Sequence, residues 1–283
     1  MTEAQVLKAL LAKHDFTFRK SLGQNFLIDP WIADACVAAL NLDGETGVLE
    51  IGPGAGALTV RLTEKAAAVT ALELDERLLP VLHEVAKSAT VIHVDMLKAD
   101  LPKICRENLP NKRCVAIANL PYYITAQAIS VLLASNCFER IVIMVQKEVV
   151  ARLIAKPGDA ALTALSMLVQ LQTEVEPLFD VGRHCFMPSP NVDSAVVRLT
   201  QREVQPSAVC LTLVKVGYAS RRKMLQNNLS ARWPREVVME ALQAAGIDGS
   251  VRAETLQCDD WKRLAAHFDG RGKADDCRTL ERL

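Results

Sequence analysis

A chain of 283 residues, half apolar and about a quarter charged, has the composition of an ordinary globular protein and room for one large domain with a smaller companion. No apolar run approaches the roughly 20 residues that cross a bilayer, which argues against a membrane partner. With 33 basic residues against 33 acidic ones, the whole-molecule charge does not announce a polyanionic partner; only local clusters could.

Residues 1–20 mix Glu3, Lys8, Lys13, His14, Asp15 and Arg19 with short apolar stretches. Neither a signal peptide nor an acid-poor transit peptide has that pattern, so the cytoplasm is the expected compartment. Short bounded apolar runs then recur at 47–52, 68–74, 90–95, 114–119 and 140–146, with helical spacings between them, such as Leu58 with Leu62 and Ile129 with Leu132. Continuous apolar strands separated by helices predict a parallel sheet covered on both faces. Strands at 173–181 and 194–201 close this region as a hairpin-like sheet edge. Between them, Phe186-Met187-Pro188-Ser189-Pro190 is expected to be irregular because its prolines forbid regular structure.

After Pro206 the pattern changes, and 209–219, 223–231, 235–245 and 258–268 read as amphipathic helices. The expected organisation is a catalytic α/β domain over 1–205, a helical domain over 206–270 and a polar tail over 271–283. The eight cysteines form no CxxC pair, and neither they nor the five histidines show zinc-ligand spacing, so reduced thiols and no metal are expected.

The run Glu50-Ile51-Gly52-Pro53-Gly54-Ala55-Gly56 follows one predicted strand and precedes a helix. In that context Gly52 and Gly54 allow a tight turn and a close backbone approach to a ligand. Glu73 ends the next strand about 20 residues on, the spacing at which an acid receives ribose hydroxyls. Asp95 ends the third, where a carboxylate could accept from an adenine amino group or simply cap the next helix. The loop is GxGxG rather than GxGxxG, which disfavours a nicotinamide cofactor.

Asn119-Leu120-Pro121-Tyr122 ends the fourth strand. An exocyclic adenine nitrogen is a poor nucleophile because its lone pair is delocalised into the ring. Two acceptors, the Asn119 side-chain oxygen and the Leu120 carbonyl, could hold its two protons and aim the lone pair at a sulfonium methyl group. Positioning then carries most of the chemistry, and no strong base is required. Tyr122 would stack on the base, and Phe186 could form the opposite wall or belong to the core. The target base must be unpaired or flipped out of its helix.

Residues 20–27, 50–59, 73–75, 119–124, 145–149, 186–199 and 221–229 together resemble the small-subunit (16S-type) ribosomal RNA adenine N6,N6-dimethyltransferase family, over about 18–268. The resemblance implies a Rossmann-like S-adenosylmethionine-dependent methyltransferase domain followed by a small all-helical C-terminal domain. It implies two adjacent adenosines near the 3′ end of the rRNA as target, in an immature small ribosomal subunit, and Asn25, Leu27, Gly52, Glu73, Asp95 and Asn119 as cofactor contacts. A monomer is expected. Candidates for a phosphate-facing surface are Lys20, Lys147, Arg152, Arg183 and the triplet Arg221, Arg222 and Lys223, the last taken as a helix start. The chain departs from the usual family pattern at Val94 and Tyr123.

Overall fold

The computed structural model describes residues 2–19, 23–109 and 113–268. Lys20 and the 271–283 tail therefore lie outside the described residues. The chain forms two compact units, one running up to Ala151 and taking in Thr173–Gln201, the other built from Arg152–Gln172 and from Arg202 onward.

In the first unit the strands are β1 (Phe26–Leu27), β2 (Gly47–Ile51), β3 (Ala68–Glu73), β4 (Thr90–His93), β5 (Cys114–Asn119), β6 (Arg140–Gln146), β7 (Thr173–Val181), β8 (Phe186–Met187) and β9 (Ser194–Gln201). Seven of them form one sheet in the order β4-β3-β2-β5-β6-β9-β7. The pairs among β4, β3, β2, β5 and β6 are parallel, and β9 runs antiparallel between β6 and β7. All five residues of β2 are buried, as are the inner four of β5 and the inner five of β6, which is why these runs are continuously apolar rather than alternating. Helix α2 (Pro30–Ala38) starts with Asp29 accepting from the Ile32 amide and Pro30 in its first turn. Its Ile32, Cys36 and Val37 pack with Leu62 of α3 (Thr59–Thr63) onto Val48, Val115 and Val142.

The chain builds outward from β2 through β3 and β4, crosses by α4 (Leu79–Val85) and α5 (Leu101–Asn108), then returns to place β5 on the other side of β2. That reversal leaves a crevice at the carboxyl ends of β2 and β5, the usual ligand position in such sheets. Register fixes the neighbours: Ile51 lies opposite Ala118, so Gly52 and Asn119 leave the sheet side by side.

Three local features differ from the sequence expectations. Helix α1 (Glu3–Lys13) begins the chain, closed by a capping box between Thr2 and Gln5. Phe186 and Met187 are not irregular but form β8, antiparallel to β1; the prolines at 188 and 190 stop it rather than prevent it. Arg221, Arg222 and Lys223 form a turn, not a helix start.

The second unit contains the end of α7 (Lys147–Leu153), α8 (Ala164–Gln172), α9 (Ala208–Gly217), α10 (Leu225–Leu229), α11 (Arg235–Ala244) and α12 (Cys258–Ala266), packed around Trp261. The buried Asn228 of α10 donates to the carbonyls of Gly217 at 2.6 Å and Ser220 at 2.9 Å. Those bonds hold the chain in a turn over 220–223, so α10 starts only at Leu225, after the expected 223. Among the described residues no helix is long and apolar enough to cross a membrane.

Candidate active site

A cavity of about 340 Å³ occupies the crevice, lined by Gly52–Gly56 of the turn after β2, by Glu73, Leu74, Asp95 and Met96, and by Asn119 to Ile124. Gly52, Gly54 and Gly56 have φ of 64°, 59° and 89°. Side chains rarely adopt this left-handed region. A Cβ on Gly54 would also stand 2.9 Å from the Phe26 ring.

The acids at the strand ends are held in different ways. Glu73 is buried and accepts from the amides of Gly54 at 3.1 Å and Asp75 at 2.8 Å. Burial nevertheless raises its pKa against the pull of those amides. Asp95 caps no helix; its side chain accepts from the Leu97 amide at 3.0 Å in a tight turn and remains partly open to the cavity. Glu50, in the middle of an apolar strand, is 1% exposed and also lines the cavity. Burial pushes its carboxyl up to about 8, the Thr59 hydroxyl opposing and the Glu73 carboxylate adding to the rise. Its Oε2 has no hydrogen-bond partner. A buried carboxyl with an unpartnered oxygen beside a cavity would be stabilised as a carboxylate by a cationic group bound there.

At the end of β5, the Asn119 amide nitrogen donates to the Asn25 carbonyl at 3.2 Å. With its nitrogen engaged, the side chain keeps Oδ1 as a free acceptor. The Leu120 amide donates to the Met144 carbonyl at 3.1 Å, while none of the described residues donates to the Leu120 carbonyl. The Pro121 carbonyl accepts from the Ile124 amide and the Thr125 hydroxyl, both at 3.2 Å, which curls Tyr122 to Ile124 into a 3-10 turn. The Tyr122 hydroxyl meets the Ser194 hydroxyl at 3.2 Å, anchoring the ring by its tip and leaving its faces for contact. Phe186, opposite Leu27 in the β1–β8 pair, is both a buried core residue and part of the cavity wall.

Asn25 and Leu27 reach the cavity because the segment before α2 is stapled across the sheet ends. Gln24 donates to Asp75 at 2.7 Å, Arg77 pairs with the same carboxylate, and the Arg77 guanidinium donates to the Thr17 carbonyl at 2.9 Å and lies 4.8 Å from the centre of the Phe16 ring. Asp75 sits below the usual carboxylate range: burial opposes the shift, and the hydrogen bonds from Arg77 and Gln24 outweigh it. The structure thus gathers Asn25, Leu27, Gly52, Gly54, Glu73, Asp95, Asn119, Leu120, Pro121, Tyr122 and Phe186 around one cavity.

The basic candidates are elsewhere. Lys147, at the start of α7, is ion-paired with Asp180 at 2.5 Å, beside a second, polar recess that Arg183 also lines. Arg221, Arg222 and Lys223 occupy the exposed turn of the helical unit, with Arg221 donating to the Ala160 carbonyl at 3.0 Å.

Residues 15–269 match the family described as ribosomal RNA adenine dimethylase. The chain belongs to that family. It is 44% identical over 273 residues to the ribosomal RNA small subunit methyltransferase A of Bacillus pumilus, covering 91% of this chain and 94% of that protein. It is likewise 44% identical to the enzyme of that name from Geobacillus thermodenitrificans, covering 91% and 93%. Among solved structures, a dimethyladenosine transferase from Plasmodium falciparum superposes with a TM-score of 0.72 at 25% identity, over 86% of this chain and 97% of that one. The 23S rRNA methyltransferase ErmE superposes with a TM-score of 0.64 at 27% identity, over 87% and 100%.

As a member of the dimethylase family the chain is an S-adenosylmethionine-dependent methyltransferase. The cavity fits that cofactor. It offers a glycine turn that lets the backbone approach a ligand, acids at two successive strand ends, and a buried Glu50 oxygen without a hydrogen-bond partner. Glu50 was not among the sequence candidates. Its signal was available: an unpaired acid inside an otherwise apolar strand, immediately before the glycine turn.

Proposed function

We propose that the chain transfers methyl groups from S-adenosylmethionine to N6 of two adjacent adenosines near the 3′ end of small-subunit rRNA, yielding N6,N6-dimethyladenosine. The substrate is the assembling small ribosomal subunit, and the enzyme acts as a cytoplasmic monomer. The names of the curated relatives support the subunit, and the cavity supports the chemistry. The observation that carries the reading is the pair of unengaged acceptors at the end of β5, Asn119 Oδ1 and the Leu120 carbonyl.

The cofactor, when bound, supplies an electrophilic methyl group on a sulfonium. Glu50 would hold the cationic amino group of the methionine end, Glu73 the ribose hydroxyls, and Asp95 the adenine amino group. Asn25, Leu27, Gly52 and Gly54 would shape the space between. Asn119 and Leu120 would accept the two N6 protons of the target adenine. That draws the nitrogen towards a tetrahedral geometry and frees its lone pair. Tyr122 and Phe186 would sandwich the base and keep water from the reacting nitrogen. Lys147, Arg221, Arg222 and Lys223 would contact phosphates and orient the RNA without reading its sequence.

The test is to incubate the enzyme with labelled cofactor and either immature small subunits or large subunits, then map the modified adenines. Dimethylation confined to two adjacent adenosines near the small-subunit 3′ end is the expected result. Label in large-subunit RNA would transfer the assignment to the other ribosomal target.

A further inference from the structure

The family match begins at residue 15, after helix α1, yet α1 lines the cofactor cavity. Its contributing residues are Glu3, Val6, Leu7 and Leu10. Their spacing of three, four and seven from Glu3 places all four on one face of the helix.

The helix is capped by its own residues at its start and tied to α4 at its end. At its start, the Thr2 amide donates to the Gln5 side chain at 2.9 Å and the Gln5 amide to the Thr2 hydroxyl at 3.3 Å. At its end, Lys13 and His14 both reach Glu84 of α4, at 2.6 and 2.8 Å. Leu7 and Leu10 pack against a cluster that includes Phe26, Leu78 and Val81, next to Ala55 of the glycine turn and Val91 of β4. That cluster lies beside the glycine turn, and α1 lines the same cavity as Glu73 and Asp95, to which the proposed function assigns the nucleoside end of the cofactor. Val6 takes no part in this cluster. It is 47% exposed while lining the cavity, an apolar side chain open to a molecule bound there.

We propose that α1, which precedes the residues matched by the family description, is a wall of the S-adenosylmethionine site. Its 3-6-7-10 face covers the nucleoside end of the bound cofactor, with Val6 the side chain that sheds water on binding. The proposal rests on the cavity being the cofactor site. Residue identity at position 6 then sets cofactor affinity without touching the acceptors that hold the target adenine.

The experiment is calorimetric titration of the full chain with S-adenosylhomocysteine, comparing wild type, Val6→Ser, Val6→Ile and Lys8→Glu. Lys8 lies on the opposite face of α1, and Val6 is exposed enough that its replacement leaves the fold intact, which the thermal midpoint of each free protein checks. Val6→Ser forfeits the burial of about two carbon groups and is expected to weaken binding about tenfold, whereas Val6→Ile, with more apolar surface, binds at least as tightly as wild type and Lys8→Glu binds as wild type does. Amide exchange within 3–13 should also slow when S-adenosylhomocysteine is added. Equal dissociation constants for wild type and Val6→Ser, or exchange in α1 indifferent to ligand, would overturn the proposal. A wild-type chain that binds no S-adenosylhomocysteine would instead remove the reading of the cavity on which it rests.

Discussion

Replacing Glu50 with Gln should make the free protein more stable and the cofactor site worse, and the size of each effect depends on pH. Burial lifts the folded pKa to about 8 from an ordinary 4.5. Between those values the folded chain retains a proton that the unfolded chain has lost, so the stability of the wild type falls as pH rises through this window. Each unit is worth about 1.4 kcal/mol. Gln has no such proton, so its gain over wild type is under about 1 kcal/mol at pH 5 and on the order of 3–5 kcal/mol at pH 8.

For a unit of this size the gain at pH 8 corresponds to a rise in melting temperature of roughly 10 °C, against no more than about 2 °C at pH 5. Melts of the ligand-free proteins at both pH values measure it. The neutral amide cannot pair with the ammonium of the methionine end, so calorimetry should show S-adenosylhomocysteine binding weakened by about 10- to 100-fold. In the wild type, binding below pH 8 should release a proton, visible as a binding enthalpy that changes with the ionisation enthalpy of the buffer. Identical pH dependence of melting in the two proteins, or undiminished binding by the Gln variant, would refute the assignment of Glu50 as a buried socket for a cation.

Tyr122→Ala should reduce productive binding of the target by about 1–3 kcal/mol through lost stacking, while Tyr122→Phe, which loses only the contact with Ser194, stays near wild type in steady-state kinetics on immature subunits. Gly54→Ala meets both a left-handed φ of 59° and the Phe26 ring at 2.9 Å, so it should impair cofactor binding in calorimetry far more than it lowers the melting temperature. Changing Arg222 and Lys223 together to Gln should weaken binding to immature subunits and flatten its dependence on log salt concentration by roughly 1.5 to 2, with S-adenosylhomocysteine binding unchanged.

The central strands β2, β3, β5 and β6 were legible because each is buried on both faces and therefore spelled as an unbroken apolar run. The glycine turn, Glu73, Asp95 and Asn119 followed from them as strand ends. What escaped had no period to read. β1 and β8 are two residues each, held by pairing between distant positions, as Phe26 faces Met187, 161 positions on. Asn25 and Leu27 entered only through family resemblance, because the bond between Asn25 and Asn119 spans 94 positions. Glu50 was hidden by its setting, since a single acid in a strand reads as an interruption until its burial is known. The helix expected from 223 starts at Leu225, so the basic triplet lies in a turn. The bonds from Asn228 that deny it the helix depend on tertiary placement. α1 is signalled by a capping box and leucines at helical spacing, but nothing in the sequence ties it to the cavity, which it reaches only through tertiary packing.

The acceptor pair at the end of β5 is tested most directly by Asn119→Ala, assayed side by side for S-adenosylhomocysteine affinity and for methyl transfer to immature small subunits. Loss of one positioned partner for the reacting nitrogen should lower transfer by about 10²- to 10³-fold with affinity for the cofactor product within a few-fold of wild type. Transfer at the wild-type rate would contradict the account.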